Sequence, residues 1–167
     1  RLVRRHRAER YSKGFSCWEQ FVAMLFCQLA QAKSLREICG GLACTLGKLV
    51  HLGVKRAPHR STLSYANSHR PWQLYMDLFY EALELCKKAS SGFKKRFRFK
   101  NKLLSLDSTT ISLCVSLFPW ADFRRTKGGV KLHLLLDHDG YFPTFAVIGK
   151  ARHHDSTVAR EAPLSKG

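Results

Sequence analysis

The spacing of apolar residues changes once along the chain, and this change constrains the fold more than any other feature. Up to residue 89, apolar residues recur at helical spacing, as Trp18, Phe21, Val22 and Leu25 do. After the linker-like segment at 89–92, apolar and polar residues alternate as they do in strands. The chain is therefore predicted to be an α+β protein, with a helical region at 1–92 and a β-rich domain at 93–167.

Serine and glutamate residues three positions apart predict where two of the helices begin. Ser16 with Glu19, and Ser34 with Glu37, are capping boxes. The first helix is expected to be buried nearly all round, and Gly40-Gly41 is expected to interrupt or end the second.

Two further helices are predicted before the linker. Ser61 or Thr62 can cap a short helix that Pro71 closes. The longest helix follows, and its apolar stripe is predicted to consist of Trp72, Tyr75, Met76, Phe79, Leu83 and Cys86.

Three antiparallel strands are predicted in the β-rich domain, at 103–110, 130–136 and 142–148. A hairpin turn at 137–140 joins the last two, and Pro143 restricts the third strand to a sheet edge. Residues 116–129 are expected to form an irregular insertion. So few strands make a poor independent core, so we expect this domain to be marginally folded and open to self-association.

The charge of the chain points to a polyanionic partner. With 29 Lys and Arg against 12 Asp and Glu, the formal net charge is +17, and 87–102 alone holds eight cations and no acid. No apolar run reaches the ~20 residues of a membrane span, and the Arg-rich start is unlike a signal peptide. The six cysteines form no Cys-x-x-Cys motif and are expected to be reduced, as in cytosolic proteins.

Asp107 is the leading candidate for catalysis and for metal binding. It lies near the end of an apolar strand, beside small hydroxyl residues that leave room for a metal ion and a phosphate. The alternative from the residues alone is that Asp107 caps a turn through Ser108 and Thr109.

The other acidic groups have local interpretations. Asp137 and Asp139 bracket the hairpin turn, where aspartate is favoured for its own hydrogen bonds, and Asp122 can pair with nearby arginines. The sequence His153-His154-Asp155 looks like a metal cluster, but the side chains of adjacent histidines diverge on an extended chain. The favoured interpretation is that Asp155 is the N-cap of a helix.

Several blocks in a fixed order resemble DDE transposases of the "IS-four" type, which bacterial insertion sequences encode. The blocks of the β-rich domain lie at 104–110 (LSLDSTT), 117–133 (LFPWADFRRTKGGVKLH) and 154–156 (HDS). Blocks at 34–37 (SLRE), 49–53 (LVHLG) and 60–63 (RSTL) are similar to the helical domain that precedes the catalytic domain in one group of these enzymes. The resemblance covers essentially the whole chain.

The resemblance implies a partial RNase H-like catalytic domain and transposition of DNA. In the family, Asp, Asp and Glu hold two divalent ions, here expected to be Mg²⁺, and Asp107 matches the first Asp. The second Asp and the Glu lie beyond the blocks present here, so we expect the chain to be the front portion of a transposase. Asp155 matches the His-Asp block and receives no metal role.

The resemblance and the charge together predict the partner and its contacts. The partner is double-stranded DNA of the transposon ends, in the bacterial cytoplasm and associated with the nucleoid. Arg124, Arg125 and Lys127 are expected to contact end DNA near the site. Non-specific phosphate contacts are expected of Lys94, Lys95, Arg96 and Arg98. For all seven cations the alternative is a merely solvated cationic surface.

Two other functions stay open from the sequence. One is a non-catalytic DNA-binding protein, or an inhibitor of transposition derived from a transposase. The other is a stand-alone nuclease, which requires Asp107, Asp137 and Asp155 to converge within metal-bridging distance.

Overall fold

The computed structural model describes residues 1–12, 14–89, 103–113, 122–124, 127–138, 140–151 and 154–162. The chain forms two compact units, Arg1–Tyr80 and Glu81–Gly167. The predicted domain boundary between 92 and 93 lies outside the described residues. The mixed helical and antiparallel architecture confirms the predicted α+β class.

The described residues up to 89 are helical wherever they form regular structure, as predicted. A short 3₁₀ segment, Lys48–Leu52, stands between the third and fourth α-helices. The α-helices are α1 (Leu2–Arg5), α2 (Cys17–Leu29), α3 (Leu35–Ala43), α4 (Arg60–His69) and α5 (Gln73–Ala89).

Both predicted capping serines begin a helix. Ser16 Oγ accepts the Glu19 N–H at 3.1 Å, and Glu19 Oε2 accepts the Ser16 N–H at 2.7 Å, which completes a capping box. Ser34 Oγ accepts the Glu37 N–H at 3.2 Å, but the Glu37 carboxylate reaches back to the N–H of Lys33 instead. The second cap therefore satisfies a donor one residue further upstream.

The expected end of α3 at Gly40-Gly41 is wrong. The helix continues through both glycines to Ala43. A Cβ atom at Gly41 would lie 2.6 Å from Phe26 Cζ, so this glycine lets α3 approach the α2 side chain closely. Gly41 therefore allows close helix packing and does not break the helix.

The core of the first unit lies between α2, α3 and α4. It is formed by the buried side chains of Val22, Ala23, Ile38, Leu42, Leu49, Val54 and Leu63. The expectation that α2 is buried nearly all round is wrong, because Leu25 and Leu29 are exposed. α2 therefore turns one face to the core and another to solvent.

The ends of α4 and the buried face of α5 differ from the predictions. His59, without a side-chain capping bond, precedes α4, whereas Pro71 follows the helix as predicted. Of the predicted stripe, Leu83 is buried as expected, but Trp72, Met76 and Phe79 are exposed, and Leu74 outside the stripe is buried. Three residues after Leu74, the Asp77 carboxylate accepts a hydrogen bond from His6 Nε2 at 2.9 Å and pairs with Arg5.

The second unit is built on an antiparallel sheet. Its strands are β1 (Leu104–Leu113), β2 (Asp122–Arg124), β3 (Lys127–Asp137) and β4 (Phe142–Lys150). β3 lies in the middle, with β1 on one side and β4 and the short β2 on the other. The three predicted strands are thus confirmed. The expectation of a wholly irregular insertion at 116–129 is wrong, since β2 and the start of β3 fall within it.

One face of the sheet is covered by helix α6 (Asp155–Glu161), whose Val158 is buried. α6 begins at Asp155, with His154 as the N-cap and without a side-chain capping bond, so the predicted cap is wrong by one residue. Pro143 lies on β4, which pairs only with β3 among the described strands, as its predicted edge position requires.

The cysteines and the apolar segments were both considered in the sequence predictions, and the structure describes most of them. Among the described residues, Cys17, Cys27, Cys39, Cys44 and Cys86 form no disulfide bond, and Cys114 lies outside those residues. Burial raises the pKa of the Cys17 thiol, as expected of a cysteine that packs as a small apolar group. Among the helices of the described ranges, none is long and apolar enough to cross a membrane.

Candidate functional site

Asp107 lies in the middle of β1, opposite Leu134 of β3. Its side chain is exposed, as are those of Ser105 and Thr109 at alternate positions of the strand. Its Oδ1 atom accepts the N–H of Ser108 at 2.7 Å. Because the strand continues to Leu113, the alternative that Asp107 caps a turn is wrong. The carboxylate is presented on an open face of the sheet.

The opposite face of the same two strands carries a polar cluster, defined here as Ser108, Lys131, His133 and Asp155. Ser108 stands directly across from His133, and Lys131 lies two residues before His133 on β3. Asp155, the first residue of α6, places Oδ1 3.0 Å from Lys131 Nζ and 3.2 Å from His133 Nδ1. The cluster therefore joins the start of α6 to β1 and β3.

Hydrogen bonding favours the charged form of Asp155. A hydrogen bond from Lys131, followed by one from Ser108 and by the charge of Lys131, lowers the pKa of the Asp155 carboxyl below its ordinary range. Asp155 is half-exposed, so water weakens each of these interactions.

His133 is the unusual member of the cluster, because its side chain is fully buried. The 3.2 Å between His133 Nδ1 and Asp155 Oδ1 is an ion-pair distance, but the two groups are not aligned for a hydrogen bond. Neither ring nitrogen makes a hydrogen bond within the described part of the chain. Buried polar groups are nearly always paired, so this imidazole is an uncommon feature of the sheet.

The structure separates the three aspartates that the nuclease alternative needs. Asp155 belongs to the cluster on the Ser108 face, whereas Asp107 is on the other face. Asp137 pairs with Leu104 and lies three residues along β3 from Leu134, the residue opposite Asp107. Three residues of a strand span roughly 10 Å. The described residues contain no group of three or more His, Cys, Asp or Glu side chains that could hold a metal ion. The convergence that this alternative requires is absent from them.

The predicted DNA contacts are only partly within the described residues. Arg124, the last residue of β2, is paired through its backbone with Lys127, the first residue of β3. The structure thereby places these two predicted positions beside each other. Arg125 and the upstream cations Lys94, Lys95, Arg96 and Arg98 lie outside the described residues, and the roles of all seven predicted contacts stay predictions.

Sequence reasoning missed the polar cluster. Lys131 and His133 were read only as the polar half of an alternating strand. The alternation gives no signal for the cluster, because it places the apolar residues of β3 on the other face, whereas the structure buries His133, and a buried imidazole needs a partner. The sequence does not show that Asp155 of α6 is that partner, because the contact spans more than 20 residues.

Comparisons with known proteins give two matches. Residues 1–55 match the model of a family described as a domain of unknown function, DUF4372. A protein of Geobacillus stearothermophilus described as a probable transposase for insertion sequence element IS5377 is 26% identical over 103 residues. This chain is similar to an insertion-sequence transposase. The match covers 62% of the chain and 26% of that transposase, so the chain spans about a quarter of its relative's length. No solved structure matches.

These matches support the predicted resemblance at the level of insertion-sequence transposases. They do not distinguish the IS-four branch from others. The Geobacillus transposase is matched over more of the chain than the 55 residues of the family model, so the similarity to a transposase is not confined to them.

Proposed function

We propose that this chain carries the DNA-binding helical region and the first part of the catalytic domain of an insertion-sequence transposase of the IS-four type. The observation that carries the proposal is the similarity to the Geobacillus transposase. An excess of cations supports DNA as the partner, since each neutralised phosphate releases counterions and favours binding. In this role the protein acts in the bacterial cytoplasm, in association with the nucleoid.

We assign the β-rich unit to the RNase H-like catalytic domain of such an enzyme. The support is an antiparallel meander, β1, β3 and β4, followed by helix α6, with the candidate aspartate on the first strand. Asp107 is then the first ligand of the Asp-Asp-Glu set, and its partners come from residues other than those described.

The residues present fit one position of a magnesium site. Mg²⁺ prefers carboxylate oxygens and keeps several waters, and the exposed Asp107 carboxylate meets that preference on an open face. When bound, two such ions would stabilise the attacking and leaving oxygens of a phosphate displacement. Within the described chain, Asp107 supplies one ligand, and the cations near β2 orient the DNA backbone.

DNA binding is tested by titrating a labelled duplex at several salt concentrations. The expected result is an affinity that falls steeply with salt, with a logarithmic slope of about −0.9 for each phosphate neutralised. A protein that shows no affinity for duplex DNA at low salt would defeat the proposed function.

The catalytic role of Asp107 is tested by Asp107→Asn in a complete homologous transposase. Cleavage of transposon ends in Mg²⁺ should be lost while the affinity for DNA is nearly unchanged, because the amide cannot replace a charged metal ligand. Glu161→Gln, an exposed acid on α6, is the control and should retain activity. Cleavage at the unmodified rate by Asp107→Asn would remove Asp107 from the site and favour the non-catalytic DNA-binding alternative.

A further inference from the structure

A groove of about 730 Å³ crosses the first unit, between the segment at 7–15 and helix α4. The segment contributes Arg7, Arg10 and Tyr11, and α4 contributes Tyr65 and His69. The volume is in the range of sites that hold small molecules, of about 300–1,000 Å³. A cationic groove with aromatic walls is the form that single-stranded nucleic acid sites take.

Two tyrosines in this groove are strongly exposed, at 81% for Tyr11 and 64% for Tyr65. Tyr65 stacks on His69 with the ring centroids 3.8 Å apart and the planes inclined by 15°. His69 Nδ1 lies 2.9 Å from the Tyr65 carbonyl oxygen, so the ring donates to its own helix and is held in place. Tyr65 is thus a braced aromatic surface that the fold leaves open to solvent.

The other wall combines charge with an aromatic ring. The Arg10 guanidinium lies 5.3 Å from the centre of the Tyr11 ring, a cation–π distance, and the Arg7 side chain is exposed at the same groove. The nearby acid, Glu9, accepts the backbone N–H of Cys17 at the start of α2. The Glu9 carboxylate is thereby held at the N-terminus of α2.

Arg70 has a structural role in the groove, because its hydrogen bonds connect the residues at its base. Its guanidinium donates to Ser16 O and Gln20 Oε1, each at 2.9 Å, and to the carbonyl oxygen of Phe15. It also lies over the Phe15 ring. These bonds hold the segment at 12–16 against the end of α4, so the two walls are fixed relative to each other.

We propose that this groove binds unpaired nucleotides of DNA, with bases stacked on Tyr11 and Tyr65 and phosphates on Arg7 and Arg10. The inference rests on the proposed function only in taking DNA as the polyanion. Inside a duplex both faces of each base are covered by its neighbours, so a tyrosine ring stacks best on an unpaired base, whereas continuous duplex would use mainly the arginines. The groove therefore favours a frayed or unpaired end over continuous duplex.

The test compares three labelled DNA probes by fluorescence anisotropy: a blunt duplex, the same duplex with a short single-stranded tail, and the tail strand alone. The wild-type protein should bind the tailed duplex more tightly than the blunt one. The variant Tyr11→Ala with Tyr65→Ala should lose roughly tenfold or more on the tailed and single-stranded probes, since base–aromatic stacking supplies about 5- to 150-fold in affinity per base. Its affinity for the blunt duplex should be unchanged.

Matched variants separate stacking from other effects. Tyr11→Phe with Tyr65→Phe keeps both rings and should keep the preference for the tail. Tyr80→Ala removes a partly exposed tyrosine of α5 that does not line the groove, and should leave all three affinities unchanged. Circular dichroism should show the same helix content throughout, because the two groove tyrosines are exposed.

Failure of this inference can be told from failure of the proposed function. Equal losses on the blunt and tailed probes, or no preference for the tail in the wild type, would overturn the groove while leaving duplex binding intact. An RNA strand that binds better than the DNA strand of the same sequence would overturn the assignment to DNA. A wild-type protein that binds none of the probes would defeat both proposals.

Discussion

At the scale of single residues, the charged side chain of Asp155 has a structural role, because it connects α6 to the sheet. It holds the first turn of α6 to the sheet through Lys131 and Ser108, and it lies beside the buried His133 ring. Its removal would leave a cation and a desolvated imidazole without their carboxylate. That arrangement costs more than the loss of an ordinary exposed ion pair.

We expect Asp155→Asn to lower the stability of the β-rich unit at neutral pH but to matter less in acid. The folded-state pKa of Asp155 is below the unfolded value, so its contribution is fully present above the unfolded pKa. It is lost as the pH falls through the folded-state pKa, which lies below the ordinary pKa of an aspartate. Urea unfolding of wild type and variant at neutral and at acid pH measures the difference. A gap that stays constant over this range would show that the Asp155 charge does not contribute.

The two predicted aspartates illustrate how far residue-level reasoning reaches. Alternation along the strand predicts that Asp107 shares a face with Ser105 and Thr109, but only the structure shows that this face is the exposed one. The partner of Asp155 did not follow from any local pattern, because it depends on where α6 packs. Local rules predict which way a side chain points from a strand, but not what a later helix brings to it.

At the scale of elements, adjacent glycines on α3 have opposite surroundings. A Cβ atom at Gly41 would meet the Phe26 ring at 2.6 Å, whereas one at Gly40 would meet nothing within 4 Å. We expect Gly41→Ala to destabilise the first unit by about 1–2 kcal/mol through overpacking against α2. Gly40→Ala, the matched control, should be neutral or stabilising by about 0.5–1 kcal/mol through helix propensity.

Thermal or urea unfolding, followed by the helical signal, compares these two variants. Equal stability of Gly41→Ala and Gly40→Ala would mean that the Phe26 ring moves aside without cost. The comparison is sharp because both substitutions change the same helix by the same methyl group.

Helix starts were predictable where a cap is local, and helix faces were not. Ser16 and Ser34 begin their helices because the capping bonds reach only three residues along the chain. On α5 the spacing of apolar residues fitted more than one face. The buried Leu74 lies three residues before Asp77, which contacts His6, 71 residues away in sequence. The sequence shows that a helix is amphipathic more readily than it shows which stripe a distant segment covers.

At the scale of the whole molecule, opposing tendencies govern association. β1 pairs only with β3 among the described strands, and Ile111 on it is 45% exposed, so its outer edge can accept another strand. The net charge of +17 opposes association by repulsion, and salt screens that repulsion. We therefore predict self-association that increases with ionic strength, measured by light scattering.

A charge on the exposed edge should suppress this association. Ile111→Lys on β1 is expected to shift it to higher protein concentration, whereas Ile148→Lys on β4 should have less effect, because Pro143 and an irregular register already blunt that edge. Hydrogen exchange should show weaker protection in β1 than in β3. A protein that stays monomeric at high salt, with β1 as strongly protected as β3, would contradict the prediction.

The pairing of Ser108 with His133 has a consequence for the geometry of the sheet as it forms. Side chains alternate along a strand, so a slip of β1 by a single residue against β3 would turn Asp107 toward α6 and Ser108 toward solvent. The apolar residues of β1 resist such a slip only weakly, because Leu104 and Leu106 mark the closed face while Ile111 lies on the open one. The contact of Ser108 and His133 with Asp155 can form in one alignment alone. Three polar groups on the closed side of the sheet thereby select the strand alignment that leaves a carboxylate on the open side.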